Sequence, residues 1–379
     1  MLTTIHRTLR TISNHFNQTE NSTTNQFALR KYRALQIILP ISIIIAVLGT
    51  IANSLICYAI VKKKELHTPT CYLMINMAIS DCLTVIMTAL INTIHYYLAC
   101  YIAFSSFLVF TCKITYFVNA IAYISSTVTL VAISLERHSK ISPLSMQKSS
   151  FFNNTFKLKA AIAFTWIAGI VIAIPYLTLV SIVPQNPWIC SINYITPTFN
   201  IPYFISLFIL VFIVPNIIII AMYSRIIRYL NQNNAAQRNQ PSFQRIFKHK
   251  RKMHCDTIKM LILVTAGYMI TSLPIFIAYI MIAFSGLNLV DYIIHLNDMQ
   301  TSVAQIAYII LPLACCQNPL IYLYYNKAIR NALSSQIRRL YNRLTAKVDI
   351  NNNRKYPKSH KILKVAEVGQ TEMKPINVK

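Results

Sequence analysis

Charge is scarce in this sequence, and acid is scarcest of all. Asp and Glu number 10 in 379 residues, and the four charged types together make up 12%. A soluble domain carries about 25%, so most of this chain is not built to face water. Glycine is also short, at 5 residues. A transport path would need several ionisable groups or broken helices at mid-depth, and inverted pairs of short interrupted helices are missing. No His-Glu-x-x-His, no Gly-x-Ser-x-Gly and no paired intramembrane acids occur, which removes the usual signatures of a membrane enzyme. No repeat suggests a solenoid. The first ten residues, with Arg7 and Arg10, lack the apolar core of a signal peptide, so insertion is expected to rely on the first spanning helix. The 9 cysteines form no dense framework. Most fall inside predicted helices or near the inner face, where a small buried hydrophobe is the ordinary role.

What is present is seven apolar stretches of about 20 to 28 residues, each long enough to cross a bilayer core roughly 30 Å thick. They predict an all-α integral membrane protein, a seven-transmembrane helix bundle, with helices at about 36–61, 71–97, 109–137, 159–183, 201–227, 254–284 and 299–325. Residues 1–35 read as a polar, disordered tail, 36–325 as the bundle and 344–379 as a polar inner tail. Between them, within 326–343, Ile329, Leu333, Ile337 and Leu340 recur on one face, flanked by Arg330, Arg338, Arg339 and Arg343. That is a short amphipathic basic helix suited to lie on anionic lipids of the inner leaflet.

An odd number of spans puts the termini on opposite sides. The formal net charge of +26 would suggest nucleic acid in a soluble protein. Here, 30 of the 36 Lys and Arg fall in four segments, 62–69, 137–159, 225–259 and 327–379. The positive-inside rule places those in the cytoplasm of a cell-membrane protein and the N-terminus outside. The run Arg245 to Lys252 then reads as an inner-membrane anchor and helix 6 extension, not a nucleic-acid patch. Asn17-Gln-Thr19 and Asn21-Ser-Thr23 are glycosylation acceptors on the outer side, and Asn153-Asn-Thr155 lies inside, where it should be silent.

Asp81 is the sharpest anomaly. A carboxylate at a helix centre costs about 2.5 to 3.5 kcal/mol on insertion scales, so it must face the bundle interior and find polar partners, with Asn53, Ser126 and Asn318 as candidates. Glu136-Arg137 closes helix 3 at its inner end, and Pro175, Pro215, Pro274 and Pro319 interrupt spans, where missing N–H groups create pivots. Cys112 and Cys190 both fall on the oxidising outer side and predict a disulfide across the mouth of the bundle; Cys100 is a competing partner.

Taken in order, these residues resemble the rhodopsin-like (class A) family of G-protein-coupled receptors over roughly residues 36–340. Asn53, four after Gly49, stands at the family's helix 1 hallmark, and Asp81 matches its helix 2 aspartate. Cys112 and Arg137 are 25 apart, as the family's disulfide cysteine and helix 3 arginine are. Trp166, Pro215, Tyr223 and Pro274 match helices 4 to 6, and Asn318-Pro319-Leu-Ile-Tyr322 matches the helix 7 signature. The resemblance implies a receptor, not an enzyme, whose extracellular agonist binds among the outer halves of helices 3, 5, 6 and 7. Helix 6 would swing outward near Pro274, Arg137 would leave Glu136 for Tyr223 and Tyr322, and a heterotrimeric G protein would enter, with Leu144 docking on it. It also implies an allosteric sodium ion at a polar cluster of Asn53, Asp81, Ser126 and Asn318, no other cofactor, and arrestin as a further partner.

The departures are specific. Helix 3 reads Glu136-Arg137-His138 in place of the commoner Asp-Arg-Tyr, and Pro143 comes one residue early. Ser272 stands two before Pro274, where an aromatic usually senses ligand. Ala314 replaces a common Asn, and no Cys follows residue 316, so the surface helix has no palmitoyl anchor. A receptor-like decoy or a constitutively active receptor is therefore an alternative, with a transporter behind it. For the ligand, Asn119 occupies the position of the amine-binding Asp, and Pro312 that of the retinal-binding Lys. Both ligand classes are thereby disfavoured. The expected pocket includes Asn119, Trp188, Ser272, Tyr279 and Asp298. Asp291 and Asp298, with Trp188, Tyr194 and Tyr292, form an acidic and aromatic rim that suits a basic or amidated peptide over a lipid or nucleotide.

Overall fold

The structure is a computed structural model that describes residues 23–101, 106–141, 151–183, 186–237, 244–288 and 298–336, with a few positions beyond. The expectations for Asn17, Asn21, Leu144, Asp291 and Tyr292 lie outside these residues, and those for the side chains of Trp188 and Asp298 lie outside the described side chains. Seven long helices follow one another. They are α1 (Thr23–Lys62), α2 (Pro69–Tyr101), α3 (Ser106–Ile141), α4 (Thr155–Ala173), α5 (Pro197–Phe208, continuing as Ile209–Ile213 and Val214–Gln237), α6 (Gln244–Ser285) and α7 (Asp298–Tyr325). Among the described residues six are long and apolar enough to cross a membrane. Their apolar side chains face outward in stripes, such as Ile44, Val47, Leu48 and Ile51 on α1 and Phe164, Ile167 and Val171 on α4. Such patches would drive aggregation in water and are at rest only in lipid.

Several boundaries differ from the sequence reading. α1 begins at Thr23, thirteen residues before the first apolar run, inside the segment read as a disordered tail. α5 extends to Gln237, and α6 reaches back to Gln244, so the basic run continues the α6 helix, as its reading as a helix 6 extension expects. The span expected over 159–183 ends early. α4 stops at Ala173, a single turn follows at Tyr176–Leu179, and Val180–Val183 is a strand. Pro175 has no N–H to continue the helix, and its ring crowds the carbonyl one turn back. The strand pairs antiparallel with Asn186–Ile192, Ile182 opposite Cys190. This hairpin is the one β element among the described residues, and it stands where the sequence reading had the end of helix 4 and a loop.

Pro215 acts differently. The turn before it, Ile209–Ile213, widens to a π helix. The extra residue makes room for a ring that would otherwise meet the backbone four positions earlier.

Small residues set the closest helix approaches. A Cβ on Gly169 of α4 would lie 2.8 Å from the Ile121 carbonyl oxygen of α3, and one on Gly49 of α1 would lie 2.7 Å from Cys316 Sγ of α7. Helices in lipid associate through such close packing and through interhelical hydrogen bonds. The α2–α3–α4 seam has both. Trp166 Nε1 donates to Asn76 Oδ1 (2.9 Å), and Asn76 Nδ2 donates to Thr129 Oγ1 (2.7 Å) and Thr165 Oγ1 (3.2 Å). Ser125 donates to Thr165 and Ser80 to Ser125, at 3.1 and 3.3 Å.

After α7 the Asn326 side chain accepts from Ala328 N and Ile329 N and starts a new helix. Arg330 donates to the Leu323 and Tyr324 carbonyls at 3.3 and 2.9 Å, capping α7 with a cation at its negative end. Ile329 and Ala332 are buried. The compact unit closes at Leu333, and a second unit begins at Ser334, within the span read as one surface helix over 326–343.

Candidate functional site

Three groups of buried polar residues occur along the bundle axis. At one end, Cys112 of α3 is joined to Cys190 of the hairpin, with Cα atoms 5.8 Å apart. The disulfide fixes the second strand across the end of α3. The next segment is held in turn by Asn200, whose Oδ1 accepts from Ile195 N (2.9 Å) and Thr196 N (3.2 Å).

Beneath this end, α3, α5 and α6 bring aromatic rings together. Phe204 packs against Tyr279 (centroids 5.4 Å), Phe208 against Phe276 (5.8 Å) and Phe212 against Phe276 (5.5 Å). Tyr123 stacks on Tyr268 at 5.9 Å. Asn119, one turn from Tyr123, has a buried Oδ1 with no hydrogen-bond partner among the described residues. Ser272 is fully buried and faces the hydroxyls of Tyr123 and Tyr268. The volume that an aromatic at 272 would fill is thus lined by tyrosines from two helices. Tyr268 joins three helices, because its hydroxyl accepts from Thr127 Oγ1 (3.0 Å) and donates to the Val211 carbonyl (3.1 Å). Neither Thr127 nor Tyr268 was picked out from the sequence, although both face the bundle at helical spacing from Tyr123 and Ser272.

The middle group surrounds Asp81, which is 1% exposed. Ser126 Oγ donates to Oδ1 at 2.7 Å and Asn318 Nδ2 donates to Oδ2 at 2.8 Å. The Cys315 thiol lies beside the carboxylate, a neighbour that sequence reasoning did not find. Asn53 does not join them. Its amide donates to the Gly49 and Cys315 carbonyls, both at 3.0 Å. The reason is local: Gly49 lets α1 close on α7 near Cys316, so Asn53, one turn on, meets the α7 backbone first. The carboxylate, the Ser126 hydroxyl and the Asn318 Oδ1, which is buried without a partner among the described residues, make a small set of hard oxygen donors. Such a set fits a hard cation.

The third group, at the end opposite the disulfide, centres on Glu136, whose side chain is 0% exposed. Arg137 Nε lies 3.4 Å from one carboxylate oxygen, Lys140 Nζ lies 2.6 Å from the other, and Thr70 Oγ1 of α2 donates to the first. Tyr223 of α5 is buried beside Thr265 and within electrostatic reach of Arg137. Tyr322 of α7, buried three residues after Pro319, donates its hydroxyl to Met77 Sδ at 3.3 Å. Neither tyrosine bonds to Arg137 here. Lys140 and Thr70 were not expected at this site; Lys140 stands at i+4 from Glu136 and was legible by helix spacing, whereas Thr70 comes from another helix.

Comparison with known proteins agrees with this layout. The model of the 7 transmembrane receptor (rhodopsin family) matches residues 52–322. The RYamide receptor of Drosophila melanogaster is 26% identical over 312 residues, covering 78% of this chain and 62% of that receptor. This chain thus spans less than two thirds of the fly receptor, though 77% of the similar RYamide receptor of Tribolium castaneum. Neuropeptide FF receptor 1 of Rattus norvegicus is 23% identical over 317 residues, 78% of this chain and 69% of that one. The crystal structure of squid rhodopsin superposes with a TM-score of 0.65 at 21% identity, covering 81% of this chain and 87% of that chain, a likeness of fold. The matched region holds all three polar groups from Asp81 to Tyr322, and on these grounds the chain is a multi-pass membrane receptor of the rhodopsin family.

Proposed function

We propose that this receptor binds an extracellular peptide at the disulfide end and activates a heterotrimeric G protein at the Glu136 end. The observation that carries the proposal is Arg137 resting beside the buried Glu136 carboxylate, with no bond to Tyr223 or to Tyr322, whose hydroxyl goes to Met77 instead. That arrangement is a closed switch: moving α6 and releasing Arg137 would open a cleft between α3, α5 and α7. Agonist and G protein would each favour the open form and so strengthen each other's binding.

A peptide is the ligand class supported best. The similar receptors are named for RYamide and neuropeptide FF. The aromatic walls of α5 and α6 suit an aromatic, amidated peptide end, and Asn119 offers a neutral amide in place of a carboxylate. The N-terminus would lie outside and the basic segments inside. A sodium ion would be held by Asp81, Ser126 Oγ and Asn318 Oδ1, where its charge would offset the buried carboxylate. Arrestin and inner-leaflet lipids would be further partners.

The test is G-protein activation in cells expressing the whole chain, against a panel of amidated peptides, lipids and nucleotides. Activation by a peptide, lost in Arg137→Ala at equal surface expression, is the expected result. Absence of coupling to every Gα subunit at normal surface expression would refute it. One observation favours a second reading, a receptor active without ligand: Ser272 is fully buried where an aromatic trigger is common. Ligand-free signal that still needs Arg137 would establish that reading.

A further inference from the structure

We propose that Lys140 is a positioning residue of the activation switch: it keeps Glu136 paired when Arg137 leaves. The inference rests on the G-protein reading above for its consequence, and on geometry for its substance.

Glu136 has no exposure to solvent. A buried carboxylate that loses its cation is strongly disfavoured, so a receptor in which Arg137 were the sole counter-charge would resist opening. Here the carboxylate has three partners. Lys140, one turn further along α3, makes the shorter ion pair at 2.6 Å. Thr70 donates to the oxygen that Arg137 also approaches. Arg137 makes the longer contact, 3.4 Å, and through Nε alone. A planar guanidinium that is firmly held by a carboxylate uses two parallel N–H bonds, and this one does not.

The division of labour follows. Lys140 ion-pairs with one Glu136 oxygen, Thr70 donates a hydrogen bond to the other, and Arg137 adds a longer third contact. Arg137 can therefore turn toward Tyr223 and Tyr322 without leaving a bare charge behind. The i, i+4 spacing matters, since Glu N-terminal to Lys at that separation is the favourable order on a helix. Lys140 moves with Glu136 on the same rigid helix, so its pairing survives any displacement of α6.

The test uses the full-length receptor in lipid nanodiscs without ligand, with an environment-sensitive fluorophore on the half-buried native Cys255 of α6. An identically labelled Cys255→Ser control removes signal from the other cysteines. Nucleotide exchange on added G protein is followed in parallel. Lys140→Gln leaves Arg137 as the one cation on Glu136 and should lower the open fraction of α6 about tenfold, within the usual range of such couplings. Lys140→Arg should retain it. Adding Glu136→Gln to Lys140→Gln should restore opening, a rescue that a merely structural lysine would not give. An unchanged or increased open fraction in Lys140→Gln overturns the proposal, as does failure of the double variant to recover. If α6 responds as expected but no variant, wild type included, exchanges nucleotide, the G-protein reading falls and the assignment of Lys140 stands.

Discussion

At Tyr268 one hydroxyl ties α6 to α3 and α5, through Thr127 and the Val211 carbonyl. Side-chain hydrogen bonds inside membranes average about 0.6 kcal/mol, so the two together contribute about 1 kcal/mol to the closed arrangement. Tyr268→Phe removes both and should raise ligand-free signalling about fivefold, the factor that 1 kcal/mol supplies in a two-state equilibrium. Thr127→Val removes one and should act in the same direction by less. Unchanged or lower basal signalling in Tyr268→Phe would show that these bonds persist in the open form. Asp81 allows an independent test of the cation. If sodium binds there, ligand-free nucleotide exchange should be lower in sodium chloride than in N-methylglucamine chloride of equal ionic strength. Asp81→Asn should erase the difference, and a difference that survives the substitution would place the ion elsewhere. The need for partners around Asp81 was legible in the sequence, because an intramembrane acid without them is too costly. Which partners it takes was less so. Ser126 and Asn318 reach it, while Asn53 spends its donors on backbone carbonyls of α1 and α7, a choice decided by how closely Gly49 lets those helices approach.

The helices show the same division between what patterning reveals and what packing decides. Seven spans were legible because a bilayer requires long apolar runs. The hairpin was not, since Val180 to Ile182 continues the apolar run of α4 and periodicity cannot separate a short buried strand from a helix end. Pro175 marked the break, but a proline in a span can equally kink it. The inner end of α5 was missed for the opposite reason, because its polar extension carries no hydropathy signal, whereas the extension of α6 was legible in the basic run Arg245 to Lys252. Two glycines separate packing from backbone strain at this scale. A methyl on Gly169 meets the Ile121 carbonyl oxygen at 2.8 Å, and backbone on a neighbouring helix yields little. Gly169→Ala should cost about 1 to 3 kcal/mol through forced separation of α3 and α4. Gly286 has open space around it but sits at φ +72°, so Gly286→Ala should cost about 1 to 2 kcal/mol from the left-handed backbone alone. Thermal unfolding of the purified variants, read by exposure of the buried Cys71 and Cys315, checks both. Addition of Gly267→Ala, whose methyl would overlap the Gln317 side chain, should perturb α6 against α7 less than Gly169→Ala perturbs its pair, because a glutamine side chain can swing away.

The whole molecule is polarised, and its polarity makes the last prediction. The disulfide and its hairpin lie at one end and Glu136, Arg137 and Lys140 at the other, with α3 running between them. Thirty of the 36 basic residues fall in segments that join or follow the helices at the Arg137 end. Lys and Arg near span ends are retained on the cytoplasmic side, and disulfides persist on the oxidising side. These two rules are independent, and both support the proposed orientation, with the Cys112–Cys190 end outside. The three glycosylation motifs then divide. Asn17 and Asn21 precede α1 and should be modified. Asn153 precedes α4 on the basic side and should not, and the neighbouring Asn154 is engaged as the cap of α4, accepting from Phe156 N at 2.8 Å. Deglycosylation should shift the mobility of the full-length receptor expressed in animal cells, Asn17→Gln with Asn21→Gln should abolish the shift, and Asn153→Gln should leave it intact. A shift that depends on Asn153 would invert the topology, and with it the assignment of one end to the ligand and the other to the G protein.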